Sequence, residues 1–300
     1  MGKLKKMIQA YSLANILNNK VYGEDKIIRH LDLCNRPTVL PETLSYITSE
    51  NYLENVLKKK KISVILIEKS HFEKNHSRLS SITCILSDKP EADFYYCHEY
   101  LVQKNLYTDS YNFQTRIGKN VKLDSNVFID KKGVIIGDNV KINANSVIKS
   151  GTSIGDNCHI GFNSIIGCDG FQLIKNHESK NTLVTHIGGI KIQKNVFIGN
   201  GVIISKGLFN TNTTIGSYTK IDNFVHISHN CIIGENCVLT AGCILSGSVQ
   251  MEDNVWLSPG VTLNNKVICE NESVIGIGSV VLNNVASGSK IFGNPARKIQ

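Results

Sequence analysis

"IGSYTKIDNFVHISHNCIIGENCVLTAGCILSGSVQMEDNVWL", residues 215–257, places an aliphatic residue at every sixth position: Ile215, Ile221, Ile227, Ile233, Leu239, Leu245, Met251 and Leu257. A period of six fits neither the 3.6-residue turn of an α-helix nor the simple alternation of a strand. It fits a β-solenoid, whose flat faces are short strands joined by tight corners. Downstream the rhythm continues through Leu263, Cys269, Ile275 and Val281. Upstream it starts at Ile117, Leu123 and Ile129 and, after one inserted residue, resumes at Ile136, Ile142, Ile148, Ile154, Ile160 and Ile166. It returns at Ile192, Ile198 and Ile204. Glycine often follows the aliphatic residue, as at Gly118, Gly137, Gly199 and Gly234, and asparagine and aspartate recur beside it. Corners need residues that tolerate positive φ, which these supply. Four residues after each aliphatic stands something small or β-branched, such as Val121, Val140, Ser146, Thr219 or Val225. The prediction is a mainly β chain. A parallel β-helix runs over 114–285, with three hexads per coil and coils about 4.8 Å apart. An irregular excursion interrupts it at about 168–190, and a tail follows over 286–300.

Residues 1–113 read differently, as a small α/β domain. Helical patterns at about 5–18 and 91–106 flank strand-like runs, "ISVILI" at 62–67 and "SITCILS" at 81–87. This part holds no glycine-rich phosphate loop and no His/Asp/Glu cluster. The run "KKKK" at 58–61 reads as the solvated end of a helix before a strand.

Composition narrows the function classes. Three hundred residues, 41% of them hydrophobic, suffice for two domains with real cores. The formal charge of +8 is spread along the chain rather than gathered into the stripe that nucleic-acid binding needs. Nine cysteines form no C-x-x-C pair, and no signal peptide is evident. Polar residues interrupt the basic N-terminus "MGKLKKMIQAYSLANIL", which reads as an amphipathic helix rather than a secretory or transmembrane segment. A soluble cytoplasmic protein is expected. Within the repeat Cys158, Cys231, Cys237 and Cys243 take the small slot and Cys269 the aliphatic one, where they act as small hydrophobes.

Two histidines in the opening stretch invite a chemical reading. Ile227 points inward, so His226 projects outward from a flat face, while His229 stands at a corner and points away from the core. With eighteen residues per coil, Gly247 lies one coil beyond His229. A histidine facing a glycine N–H supplies a general base and an oxyanion donor, the two parts that acyl transfer to an amine requires. The plainer alternative is a pair of solvated surface side chains. An H-x-x-H pair also ligates zinc, but such a site needs a third histidine. The nearest in sequence are His159, several coils earlier, and His186, inside the excursion. No metal site is expected, and His226 is read as a neighbour that orients His229 or touches substrate.

The six-residue pattern resembles the hexapeptide-repeat acyltransferases. That resemblance implies a left-handed coil and homotrimers with active sites between subunits. "KIDNFVHISHNCIIGENC" (220–237), "IIGCDGFQ" (165–172) with its excursion, and the N-terminal "YSLANIL", "GEDKII" and "LSYITSENYLENVL" are similar to the UDP-3-O-acylglucosamine N-acyltransferase family of lipid A synthesis. The resemblance makes His229 the general base and Gly247 the oxyanion donor. It places Tyr46 and Tyr52 on the uridine-stacking positions, with Ser49 where the family has asparagine. Packing of the small domain is the alternative role for the tyrosines.

The chain also departs from that family. Lys266, in "TLNNKVI" beside Asn264, stands where the family has a second histidine, so both are candidate substrate contacts rather than like-for-like lipid A contacts. The terminal "VASGSKIFGNPARKIQ" resembles the tail of CoA-dependent hexapeptide acetyltransferases instead of a carrier-protein-docking helix. Arg297 and Lys298 are then candidates for offsetting CoA phosphate charge. The expected activity is N-acyl transfer of an acetyl or small hydroxyacyl group from acyl-CoA to a UDP- or dTDP-linked amino sugar. It would serve surface polysaccharide (O-antigen) synthesis, with no permanently bound cofactor. Two alternatives remain: the lipid A N-acyltransferase using acyl carrier protein (acyl-ACP), and a non-catalytic trimeric scaffold.

Overall fold

Strands of two to four residues carry each inward aliphatic of the repeat, and the backbone turns a corner after each one. The computed structural model describes residues 4–35, 40–107, 110–209 and 211–298. The chain divides into two compact units, Met1–Asp109 with Gln172–Thr185, and Ser110–Phe171 with His186–Gln300.

In the second unit three sheets of eight, eight and ten strands, parallel except for the last pair of the ten-stranded sheet, form the faces of a β-helix. Register repeats the sequence period: Ile142 pairs with Ile160, Ile227 with Leu245 and Leu245 with Leu263, each one coil on. Across the one-residue insertion the step is nineteen, as in Ile117 with Ile136, and Gly133 takes up the extra residue at φ +79. The aliphatic column from Ile136 to Ile291 is one continuous buried core. Ile117 and Leu123 remain 50% and 45% exposed because they belong to the first coil and have no coil stacked on their outer side.

The small slot has a second duty that its size alone did not show. Ser146, Ser164 and Thr219 hydroxyls donate to backbone carbonyls of the next coil at 2.7–2.9 Å. The thiols of Cys231, Cys237 and Cys243 do the same at 3.1–3.3 Å. Burial pushes the Cys231 and Cys269 thiols up to about 12 and Cys237 to about 11, so they stay protonated and unreactive. Asparagines at the corners adopt left-handed φ near +60 and stack in hydrogen-bonded ladders, as Asn139 on Asn157 and Asn236 on Asn254. The tail closes the stack with a hairpin, Lys290–Gly293 against Ala296–Lys298, in which the Ile291 strand pairs with Val274–Ile275.

The first unit is a five-stranded sheet in the order Val21–Tyr22, Thr83–Leu86, Ile62–Ile67, Thr43–Ile47, His30–Leu31, antiparallel only at its first pair. Among the described residues four α-helices accompany it: α1 (Ala10–Leu17), α2 (Glu50–Lys58), α3 (Lys69–Asn75) and α4 (Pro90–Gln103). The helix predicted over 5–18 starts five residues later, since Ile8–Gln9 is extended and pairs with Ile27–Ile28. α2 ends at Lys58 with the remaining lysines of the run leading into the strand. The middle of the excursion forms a hairpin, Leu173–Lys175 with Asn181–Leu183, that packs into this unit. Its His177 ring is 2.8 Å from Asp93, and Glu99 accepts the Thr185 N–H and hydroxyl at 2.7 and 2.8 Å. None of the described helices is long and apolar enough to cross a membrane.

Candidate functional site

His229 follows the strand His226–Ile227 at a corner of the second unit, and the ladder places Gly247 beside it. The His229 carbonyl accepts the Ser248 N–H at 2.9 Å, and the Gly247 carbonyl accepts the Lys266 N–H at 3.1 Å. A β-carbon on Gly247 would stand 2.8 Å from both Nε2 and Cε1 of His229 and 3.3 Å from Asn265 Oδ1. The imidazole edge therefore faces the Gly247 backbone with no side chain between them. Among the described residues no acceptor is bonded to the Gly247 N–H.

Asn230 fixes the imidazole. Its Oδ1 lies 2.9 Å from His229 Nδ1 and also accepts the Leu208 N–H at 3.0 Å, while its Nδ2 donates to Thr211 Oγ1. A backbone N–H only donates, so the atom facing Leu208 must be the amide oxygen. That oxygen can only accept, so the neutral His229 carries its proton on Nδ1. Nε2 then presents a lone pair toward Gly247, the tautomer a general base needs. Asn230 itself sits at φ +62, with its N–H bonded to Thr213 Oγ1 at 2.9 Å.

The surroundings differ from the sequence reading in one respect. His229 does point out of the aliphatic core, yet it is only 8% exposed. The ends of the excursion cover it. A β-carbon on Gly170 would lie 2.9 Å from His229 Cβ and Cδ2 and 2.6 Å from His186 Nε2. His186, 1% exposed, packs its ring 5.2 Å from that of His229 at a steep angle. Spacing set His186 aside, because a residue inside the excursion has no coil number. His159 lies on another face, stacked on Phe197 at 5.0 Å.

His226 is half-buried between Ile203 and Ile244 on the outward side of its strand, and burial depresses its basicity. Asn230 is a hydrogen-bond partner of the His229 ring, at Nδ1. Asn264 and Lys266 are exposed on the turn two coils beyond the His229 level, and Asn265 between them is the residue that lines up with Gly247. Counting eighteen from Gly247 would have found it. No group of three or more metal-ligating side chains occurs among the described residues.

The column His229, Gly247, Asn265 continues to Asn283, since Leu263 pairs with Val281. Asn283 lines a cavity of about 420 Å³ at the end of the solenoid, together with Val285, Ser289, Ile291, Arg297 and Lys298. Arg297 is exposed there and donates to the Ala296 carbonyl at 3.0 Å. In the first unit the Tyr46 hydroxyl donates to Glu91 at 2.9 Å, and its ring packs 5.1 Å from Phe94; burial, with the neighbouring Tyr95 and Glu91, raises its ionisation far above the ordinary range. Tyr52 packs on the core of that unit, and Ser49 is the N-cap of α2, where its carbonyl accepts the Tyr52 and Leu53 N–H groups at 3.1 and 3.2 Å while its hydroxyl makes no cap bond. Both tyrosines are half-buried.

Comparison with known proteins bears on the second unit. A family of bacterial transferase hexapeptides (six repeats) matches residues 133–168 and 212–247, and the hexapeptide repeat of succinyl-transferase matches 114–150 and 230–265. Similar solved structures include UDP-N-acetylglucosamine acyltransferase from Campylobacter jejuni, at 23% identity and TM-score 0.55. The Arabidopsis enzyme is 22% identical with TM-score 0.51, and that of Bacteroides fragilis 24% with TM-score 0.55. Each alignment covers 62% of this chain and 70% of the other. At these identities the likeness is one of fold, a left-handed parallel β-helix. No curated protein matches the chain by sequence.

Proposed function

We propose that this chain, a hexapeptide-repeat left-handed β-helix acyltransferase resembling the lipid A family, moves a short acyl group from CoA to the amine of a nucleotide-linked amino sugar. The observation that carries the reading is the His229–Asn230–Gly247 arrangement, in which a tautomer-locked imidazole faces a backbone N–H across an empty glycine. The acceptor amine loses its proton to His229 Nε2 as its nitrogen attacks the thioester carbon. The tetrahedral oxygen that forms is held by the Gly247 N–H. Collapse breaks the carbon–sulfur bond and releases CoA as thiolate, which takes up a proton.

The column of residues supports CoA as donor. From His229 through Gly247 and Asn265 to Asn283 is three coils, about 14 Å at the usual strand spacing. An extended pantetheine arm follows such a path, and Arg297 and Lys298 stand at its far end to meet phosphates. Nucleotide binding through Tyr46, Ser49 and Tyr52 and trimerisation belong to the same reading. So do sugar contacts from Asn264 and Lys266, a UDP- or dTDP-sugar acceptor and a place in surface polysaccharide synthesis.

Thiol release decides among the candidates. Acetyl-CoA, 3-hydroxybutyryl-CoA and 3-hydroxyacyl carrier protein are each paired with UDP- and dTDP-linked amino sugars, and the melting temperature is followed in parallel. Release from a CoA thioester, abolished in His229→Ala, is the expected result. Release only from the carrier protein would move the chain to lipid A synthesis. Silence throughout, with no ligand raising the melting temperature, would leave the scaffold reading.

A further inference from the structure

We infer that Asn265 binds the acyl donor: its carboxamide pairs with the first amide of a pantetheine arm whose thioester carbonyl rests on the Gly247 N–H. The inference rests on the reading of Gly247 as the oxyanion donor. It holds for CoA and for a carrier protein alike, because both present the thioester on the same arm.

The turn itself does not call for an asparagine at 265. At this corner of the coil the left-handed residue is the next one along, Asn230 at φ +62, Ser248 at +62 and Lys266 at +63. Asn265 therefore meets no backbone demand of the kind that places asparagine at 139, 157, 236 and 254. Its side chain is exposed, and among the described residues none bonds its carboxamide. Asn284, by contrast, accepts the Ile268 N–H at 3.0 Å. Yet Asn265 is aimed at the site. Its Oδ1 lies 3.3 Å from the point where a β-carbon on Gly247 would stand, which is also 2.8 Å from His229 Nε2.

The spacing of the solenoid matches the spacing of the arm. Leu245 pairs with Leu263, and the Gly247 carbonyl accepts the Lys266 N–H at 3.1 Å. The turn that carries Asn265 is thus one coil, about 4.8 Å, beyond Gly247. In a pantetheine thioester the first amide nitrogen is four bonds from the thioester carbon, about 5 Å when extended. A carbonyl seated on the Gly247 N–H therefore brings that amide to the level of Asn265. The amide is neutral and has one donor and one acceptor. A carboxamide meets both, with Oδ1 accepting the N–H and Nδ2 donating to the carbonyl, whereas Lys266 on the same turn offers donors only. From there the arm runs on toward the cavity lined by Asn283, Arg297 and Lys298.

Calorimetric titration of the full-length protein and of Asn265→Ala tests this without turnover. The backbone at 265 is not left-handed, so alanine fits it. The probes are CoA beside adenosine 3′,5′-bisphosphate, which lacks the arm, and holo-acyl carrier protein beside its apo form, which also lacks it. The first pair reports a CoA donor and the second a carrier-protein donor. Asn265→Ala should weaken the arm-bearing ligand that the wild type binds by about tenfold, the worth of two amide hydrogen bonds. The arm-free ligand should bind the variant as it binds the wild type. A loss of less than about threefold on the arm-bearing ligand overturns the inference alone and leaves the acyltransferase reading to thiol release. An equal loss on both members of a pair also overturns it, since the change would then not act through the arm. A wild type that binds neither CoA nor the holo carrier protein overturns the inference together with the donor reading beneath it.

Discussion

Gly247→Ala is the most demanding test of the site, because its effect is set by one distance. The new β-carbon would lie 2.8 Å from His229 Nε2 and Cε1, closer than real β-carbons approach other atoms. The ring has little freedom to retreat, since Nδ1 is bonded to Asn230 at 2.9 Å and Gly170 and His186 press on it from the excursion. The methyl also fills the gap between base and oxyanion donor in which the reacting amine must sit. Losing a general base costs about 10²–10⁴ in rate, and losing an oxyanion donor about 10²–10³. The two losses overlap here rather than multiply, so kcat should fall by at least about 10². The main chain tolerates the change, because Gly247 does not occupy the left-handed region. Overpacking should cost about 1–3 kcal/mol of stability, small for a solenoid with this much buried core. Initial rates of thiol release and thermal unfolding, measured on the same preparation, separate the two effects. A variant that melts like the wild type and keeps more than about a tenth of its rate would refute the placement of the reacting amine between His229 and Gly247.

Two further perturbations probe other parts of the chain. Asn230→Ala removes the acceptor that holds the proton on Nδ1 and leaves the Leu208 N–H unpaired. We expect kcat to fall by about 10² or more with little change in KM, while Asn230→Asp, which still accepts from both groups, stays within about tenfold of the wild type. A rise in KM with kcat preserved would show that Asn230 serves binding instead. His98 is wholly buried on α4, with Nε2 2.8 Å from the Thr185 carbonyl and Nδ1 2.9 Å from the Tyr107 hydroxyl. Burial lowers its basicity from the ordinary 6.5, partly countered by the Thr185 carbonyl and Glu99. Its native form therefore binds fewer protons than the unfolded chain. The stability it confers is present above pH 6.5 and is lost as pH falls from there toward the depressed native value, by up to about 1.4 kcal/mol per pH unit. Melting temperature followed from pH 7.5 to 5 should drop more steeply in the wild type than in His98→Gln; parallel curves would contradict the linkage.

What could be read from the sequence was what the repeat encodes. A period of six fixes which residues point inward, and a coil of eighteen fixes which residues stack, so Ile227 over Leu245 and His229 beside Gly247 followed from counting. Counting also reaches Asn265 and Asn283. It stops at Gly167, where the chain leaves the coil. Gly170 and His186 flank the hairpin 173–183 and have no place in the eighteen-residue count, so no local pattern announces that both lie against His229. The late start of α1 is similar, because pairing of Ile8–Gln9 with Ile27–Ile28 outweighs the helical preference of the preceding residues.

Asn230 shows why the orienting group was harder to see than the base. Corner positions of the coil call for a residue that accepts positive φ, and asparagine fills them at 126, 139, 145, 157, 163, 195, 236 and 254. At those positions its side chain is exposed, half-buried (Asn195) or bonded to the next asparagine in the ladder. At 230 the same backbone demand is met, but the residue one coil on is Ser248 rather than asparagine, and the amide turns to Leu208, Thr211 and His229. A residue chosen by the corner is thus available to fix the tautomer of the histidine beside it at no added cost in backbone strain. In a repeat fold the chemistry need not interrupt the pattern: one irregular coil suffices to turn a corner asparagine into part of a candidate catalytic site.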